Sequence, residues 1–247
     1  GRIICELTFK ALNYYLELLS PDCLSELRKK MVTSLIRGKQ FYSNRLLGKY
    51  WRVILDGTGV ACFEERHCDN CLYEKRTYKD GRKVTVYYHK VLEAKLILGD
   101  KIVVSLGTEF IENERSDVSK QDCETKAAKR LLERIKKEYP RLPICIQGDA
   151  MYATEPMMEI CRLNGWKYIF SHKEAQQRVL ADNYNLLSLE DGKQKVQGIG
   201  AEKGTAIYCN GIGKMAGKTE IMNVYEYTCK KIIKKQEKTV HFQWITD

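Results

Sequence analysis

The stretch Ile144-Cys145-Ile146-Gln147-Gly148-Asp149-Ala150 is short and wholly apolar up to Gln147. A run like this predicts a strand buried in the middle of a sheet. Pro140 and Pro143 stop an amphipathic helix just before it. Ala128, Leu131, Leu132, Ile135 and Tyr139 mark that helix's buried face, and Lys126, Lys129, Arg130, Arg134, Lys136 and Lys137 occupy the rest. Ser119 is the expected cap.

Upstream, Tyr50-Trp51-Arg52-Val53-Ile54-Leu55 is a β-rich run that ends on Asp56-Gly57-Thr58-Gly59. Tyr87 to Leu98 and Lys101 to Phe110 are two more strands, with Gly99-Asp100 as the hairpin turn, and the three predict an antiparallel meander. Downstream, Thr154 with Pro156 opens a helix and Tyr168-Ile169-Phe170 is a fifth strand. The order β-β-β-α-β-α-β predicts an α/β fold, a mixed sheet flanked by helices.

Residues 1–48 are read as an N-terminal helical segment. Leu12, Leu16 and Leu19 recur at helical spacing, Ser20-Pro21-Asp22 starts a second helix, and Leu24, Leu27, Met31 and Leu35 line it beside Arg28, Lys29 and Lys30. A small bundle packed on the main domain is favoured over a DNA- or subunit-contacting arm. Residues 49–247 form the main domain, with an insert at 64–90. Residues 174 to 218 are polar and Gly-rich, without clear periodicity. Met222 to Thr228 and Thr239 to Ile245 alternate like an antiparallel pair, and Lys230, Lys231, Lys234 and Lys235 lie between them.

The formal net charge of +10 favours a polyanionic partner such as nucleic acid or an anionic membrane. With 44% hydrophobic residues the chain can bury a core, which excludes a disordered polyelectrolyte. No apolar run reaches the length that spans a bilayer. Ten cysteines in 247 residues are too sparse for a disulfide scaffold; Cys5, Cys145, Cys161, Cys209 and Cys229 sit singly in apolar runs and read as reduced core residues.

Asp56 and Asp149 close the first and fourth main strands. On neighbouring strands the two carboxylates come side by side. Like charges that close favour a shared proton or cation, and oxygen ligands of this kind suit Mg²⁺ or Mn²⁺. Two such ions can activate an attacking oxygen and stabilise the leaving oxygen of a phosphodiester. Gly57, Gly59, Gly148 and Ala150 leave room for a DNA backbone. Aspartates at strand ends also cap turns and helices, and either one alone carries that meaning. The pair, in this strand order on a basic chain, points to chemistry.

The insert holds His67-Cys68-Asp69-Asn70-Cys71, and His89 follows 18 residues after Cys71. Two thiolates and one or two imidazoles (Cys68, Cys71, His89, His67) can make a structural Zn²⁺ site. Solvated or core thiols are the alternative, because no second C-x₂-C accompanies the first.

Val53-Ile54-Leu55-Asp56-Gly57-Thr58, Ile144 to Tyr152, and Tyr168-Ile169-Phe170 followed by Lys173 together resemble the catalytic domain of bacterial insertion-sequence DDE transposases. The likeness covers roughly residues 50 to 247 and implies a ribonuclease-H-like fold with a β-rich insertion at 174–247. It implies that Asp56 and Asp149 are catalytic and bind two metal ions. Lys173, Lys230, Lys231, Lys234 and Lys235 would contact phosphates. It implies hydrolysis at a transposon end followed by strand transfer to target DNA, with double-stranded DNA as partner, a homodimer as one form of assembly, and a bacterial, cytoplasmic, nucleoid-associated location. The family's third acid is a Glu on a later helix. No Glu matches it, Glu220 and Glu226 lying in or beside a strand, so this fragment is expected to bind metal weakly and not to cut DNA. A non-catalytic DNA-binding remnant, a generic nuclease of the same fold, and a phosphotransferase with Asp56 as nucleophile are the alternatives. The last wants a second acid where Thr58 stands, and a sugar-kinase-like ATPase would want a second Gly-rich loop that is not found.

Overall fold

The computed structural model describes residues 9–173, 177–213, 221–233 and 236–247. Parallel pairing of β1 (Trp51–Phe63) with β5 (Ile144–Gly148) sits at its centre, in the register Trp51↔Ile144 to Ile54↔Gln147. β6 (Lys167–Ser171) continues the parallel set on the far side of β5. On the near side β1 runs antiparallel to β3 (Lys83–Gly99). Two strands then share the outer edge of β3: β4 (Ile102–Ile111) along Lys90–Gly99, and β2 (Leu72–Thr77) along Lys83–Tyr88.

The strand expected at Ile144 therefore lies in the middle of the sheet, and Ile144, Cys145 and Ile146 are buried. On β1, Trp51, Val53 and Leu55 are buried in alternation with less buried Arg52 and Ile54. That period of two is the pattern of a strand with one face on the core. Register puts Ile144 and Ile146 on the same face as Trp51 and Val53.

α3 (Glu124–Glu138) covers that face with Ala127, Ala128, Leu131, Leu132 and Ile135. Its acidic first turn and basic last turn both oppose the helix dipole favourably. The helix begins at Glu124, with Cys123 as its extended N-cap, and not after Ser119 as expected. Gln121 is already committed to the backbone of Tyr73 at the start of β2, which holds the intervening segment off helix. α4 (Glu155–Asn164) packs beside α3 and on β6, and Gly165, at φ +67°, terminates it in the left-handed conformation that glycine adopts without strain.

α1 (Phe9–Leu18) and α2 (Pro21–Arg37) are the first described helices, with the Ser20 hydroxyl accepting from the Asp22 N–H. Of the residues expected to line α2, Leu35 alone packs on the core. Val32, Leu35 and Ile36 meet the core and Arg28 pairs with Glu138 of α3, while Leu12, Leu16, Leu19, Leu24, Leu27 and Met31 are exposed. The cause is rotational phase: Arg28, Val32, Leu35 and Ile36 share one stripe at helical spacing.

Residues 174 to 218 hold more order than the sequence suggested. Their described part forms α5 (Arg178–Leu186), β7 (Gln194–Ile199) and β8 (Gly204–Gly213). β9 (Ile221–Ile233) and β10 (Gln236–Thr246) form the expected antiparallel pair. β10 then pairs with β6, so the C-terminal strands extend the main sheet in the order β6-β10-β9-β8-β7. The insert at 64–90 is likewise part of the sheet, with Cys71, Leu72 and Val86 buried.

A single 3₁₀ turn at Ala150–Tyr152 follows β5 and lays the Tyr152 ring under Gly148, where an added Cβ would come within 2.6 Å of Tyr152 Cδ2. Tyr152 is buried and its ring cannot swing away. Gly59 has open space at the same position. Gly148→Ala is expected to cost about 1–3 kcal/mol by overpacking, and Gly59→Ala much less; urea unfolding of the two variants beside the parent checks this.

Candidate functional site

Asp56 lies on β1 two residues beyond the last paired position of the β1–β5 ladder, and Asp149 lies one residue past the end of β5. Continued in register, Ile54↔Gln147 leads to Asp56 beside Asp149. Residues two apart on a strand share a face. Both aspartates therefore project from the face opposite to the one that α3 covers, at the carboxyl ends of adjacent parallel strands, and both are exposed. Neighbouring strands lie about 4.8 Å apart.

The Asp149 backbone is extended, and its Oδ1 accepts from the Met151 N–H at 2.9 Å, which orients the carboxylate. Among the described residues the Asp56 carboxylate has neither hydrogen bond nor ion pair. On its other side Asp56 stands directly opposite Glu93 of β3, and Glu93 stands opposite Thr108 of β4, whose hydroxyl donates to Glu93 Oε2 at 2.6 Å. Glu93 and Asp56 thus face each other across β3 and β1, and Asp149 follows the end of the neighbouring β5. Like charges directly opposite one another destabilise a sheet, so a cation on this row relieves a repulsion that the fold imposes.

The β5–β6 ladder ends at Gly148↔Phe170; from the next residue of β6, Ser171, the register runs to Trp244 of β10, Tyr225 of β9 and Tyr208 of β8. The three rings are half-buried, with centroids 5.9 Å (Tyr225–Trp244) and 6.2 Å (Tyr208–Tyr225) apart.

A fourth acid stands behind the row. Glu124, in the first turn of α3, lays its carboxylate where a Gly57 side chain would otherwise be. Lys90 Nζ holds one oxygen at 2.8 Å and the Tyr152 hydroxyl donates to the other at 3.2 Å. Burial first, then the Glu124 carboxylate, push the Tyr152 phenol well above its ordinary range, and Asp149 and Asp56 add to the push. Tyr152 therefore remains a hydrogen-bond donor. The bond to Glu124 is also the largest cause that raises Lys90. Glu124 is thus a braced, neutralised acid rather than a free one.

Among the described residues, one group offers three ligand atoms within 4.8 Å of one another: Cys68, Cys71 and His89. The carboxylates of the row are not drawn together to that degree. His67, the fourth residue expected there, stays outside the group. It is exposed, and its ring stacks on Phe63 at 4.7 Å. Burial raises the Cys71 thiol, but the backbone of Cys68 and His67 and the Cys68 side chain outweigh it, so the pKa falls below the ordinary thiol value.

Buried Asn113, just after β4, ties this knuckle down. Its Nδ2 donates to the Cys71 carbonyl at 3.0 Å, its Oδ1 accepts from the Asp122 N–H at 3.2 Å, and its backbone exchanges bonds with Asn70.

Of the expected phosphate-contacting lysines, Lys173 is exposed just past β6. Lys230 pairs with Glu237 at 2.9 Å and Lys231 with Glu202 at 3.1 Å, so part of their charge is answered within the chain. Lys234 and Lys235, like Glu220, lie outside the described residues. Glu226 is engaged by Gln243 at 2.6 Å, across the β9–β10 pair. Sequence reasoning missed Glu93, Glu124 and Asn113. Only the cross-strand register reveals the first. Glu124 carried one legible signal, an acidic residue at the start of a basic helix.

No protein-family model matches the chain, and no curated protein matches it in sequence. Among solved structures, a piggyBac transposase synaptic complex with hairpin DNA overlaps it with a TM-score of 0.41 at 10% identity. The overlap covers 79% of this chain and 32% of that one, so the chain spans about a third of the neighbour's length. No described helix is long and apolar enough to cross a membrane.

Asn113→Ala leaves the Cys71 carbonyl and the Asp122 N–H without partners. It is expected to cost on the order of 2–3 kcal/mol, and chemical denaturation reads the loss.

Proposed function

We propose that the protein is a DNA transposase of the DDE type, built on a ribonuclease-H-like fold, in which Asp56 and Asp149 hold divalent metal. One feature supports the reading: Asp56 and Asp149 each follow by two positions the last paired residues, Ile54 and Gln147, of two adjacent parallel strands. The strand order β4-β3-β1-β5-β6, with β1, β5 and β6 parallel, supports the fold assignment. The formal net charge of +10 supports a polyanionic partner.

The donor set fits Mg²⁺ or Mn²⁺, which take oxygen ligands and keep several waters. Asp56 and Asp149 are the ligands, and Glu93 adds a third carboxylate to the row. A bound ion supplies activation of an attacking oxygen and neutralises charge on a leaving oxygen of the phosphodiester. The chain's own residues do the rest. The Met151 N–H fixes the Asp149 carboxylate, and Thr108 fixes Glu93. The Tyr152–Glu124–Lys90 brace fills the space behind Gly57 and holds the 3₁₀ turn against β1. Lys173, exposed just past the end of β6, would meet a phosphate.

The sign of a charge-removing substitution tests this. Without metal, Asp56→Asn takes away a like-charge neighbour of Glu93 and should stabilise the chain by roughly 0.2–1 kcal/mol. With saturating Mn²⁺ the parent should be stabilised, and Asp56→Asn and Asp149→Asn should each weaken Mn²⁺ binding by about tenfold or more. Calorimetric Mn²⁺ titration and thermal melts measure both. Unchanged Mn²⁺ affinity in the double variant ends the metal reading. Binding of a labelled duplex should fall with salt, at a log–log slope of about −0.9 per phosphate contacted; a salt-independent affinity ends the DNA reading.

A further inference from the structure

Cys68, Cys71 and His89 lie outside the carboxylate row and are not used by the reading above. Their separations are Cys68 Sγ–Cys71 Sγ 3.7 Å, Cys68 Sγ–His89 Nε2 3.4 Å and Cys71 Sγ–His89 Nε2 3.3 Å. A tetrahedral zinc with Zn–S of about 2.3 Å and Zn–N of about 2.0 Å sets its ligands roughly 3.5–3.8 Å apart. The three atoms stand close to three corners of that tetrahedron. Both cysteines are free thiols, Cys71 fully buried and Cys68 partly so.

The surroundings are built for a fixed ligand set. Asn113 holds the knuckle from below through the Cys71 carbonyl and Asn70. The Phe63 ring stands edge-on to His89, with centroids 6.4 Å apart. A β-bulge at Val60, between Gly59 and Ala61, shifts the β1–β3 register just before Ala61 meets His89. Bulges of this kind re-aim side chains and are a recurring device beside sites.

We propose that Cys68, Cys71 and His89 bind one zinc ion, with the fourth corner taken by water or an exogenous ligand. The metal joins the β1–β2 connection to β3. Asn113 already joins that connection to the segment after β4, so zinc closes a clamp around the outer part of the β1–β3 ladder. By alternation His89 lies on the same face of β3 as Glu93, four residues away, about 13 Å of strand. The clamp therefore stiffens the strand that carries one end of the acidic row. Thiolate and imidazole suit zinc, whereas the all-oxygen row suits a hard cation, so the two sites select different metals and the zinc site stands whether or not the transposase reading does.

The test uses the whole chain under reducing conditions. Element analysis should find one zinc per chain. Replacement by Co²⁺ should give a thiolate charge-transfer band and the intense visible bands of tetrahedral cobalt. Cys68→Ser and Cys71→Ser should lose the charge-transfer intensity, His89→Ala should lose tight binding, and His89→Cys should restore it with a stronger band. Cys23→Ser should leave the spectrum unchanged. Chelating zinc from the parent should speed hydrogen exchange at residues 68–73 and 87–90 and leave Ile144–Gly148 protected; this keeps the inference falsifiable if a ligand variant does not fold. Zinc well below one per chain, a cobalt spectrum that survives loss of both cysteines, a Cys68–Cys71 disulfide in place of metal, or unchanged exchange after chelation would each overturn it.

Discussion

The parallel pairing of β1 with β5 is the constraint on which the rest depends. It is a non-local contact between segments more than ninety residues apart in sequence. Both strands are apolar enough to be buried in the centre of the sheet, and burial of Val53, Leu55, Ile144 and Ile146 makes the pairing favourable. A one-residue slip would turn these side chains to the opposite face. The register is therefore held firmly, and with it the relative placing of Asp56 and Asp149.

The two faces of the sheet divide the labour. One is covered by α3, packed on β4 and β3, and by α4, packed on β6, and holds the core that supplies stability. The other presents two paired rows, Glu93 with Asp56 and Ser171 with Trp244, Tyr225 and Tyr208, with Asp149 past the end of β5 between them. Acidic side chains lie at one end of this face and half-buried rings at the other. The pairing of β10 with β6 makes the sheet continuous. Without it the C-terminal strands would be a separate sheet.

Glycine decides how close the brace comes. Gly57 and Gly148 are the neighbours of the two aspartates, and both point to the covered face. There the Glu124 carboxylate and the Tyr152 ring take up the volume that side chains would have filled. The exposed acids are thus backed by a packed acid–tyrosine–lysine group rather than by solvent, which limits how far the strand ends can move. The Asn113 network does the same for the Cys/His knuckle through hydrogen bonds.

The sequence by itself determined the identity and order of the main elements, because periodicity is local: alternation in β1, β3 and β4, the amphipathic stripe of α3, and the apolar run of β5. It also marked Asp56 and Asp149 as strand-end acids, and Cys68, Cys71 and His89 as a ligand set. It misjudged which stripe of α2 packs, the start of α3, the order within residues 174 to 218, and the place of His67. Three of these are settled by a partner distant in the chain: Glu138 for Arg28, Tyr73 for Gln121, β9 for β8; His67 is held by Phe63, four residues back. Only the tertiary structure could place Glu93 beside Asp56 and join the acidic and aromatic rows. Cross-strand neighbours are set by register, and register follows from the burial of the whole sheet at once.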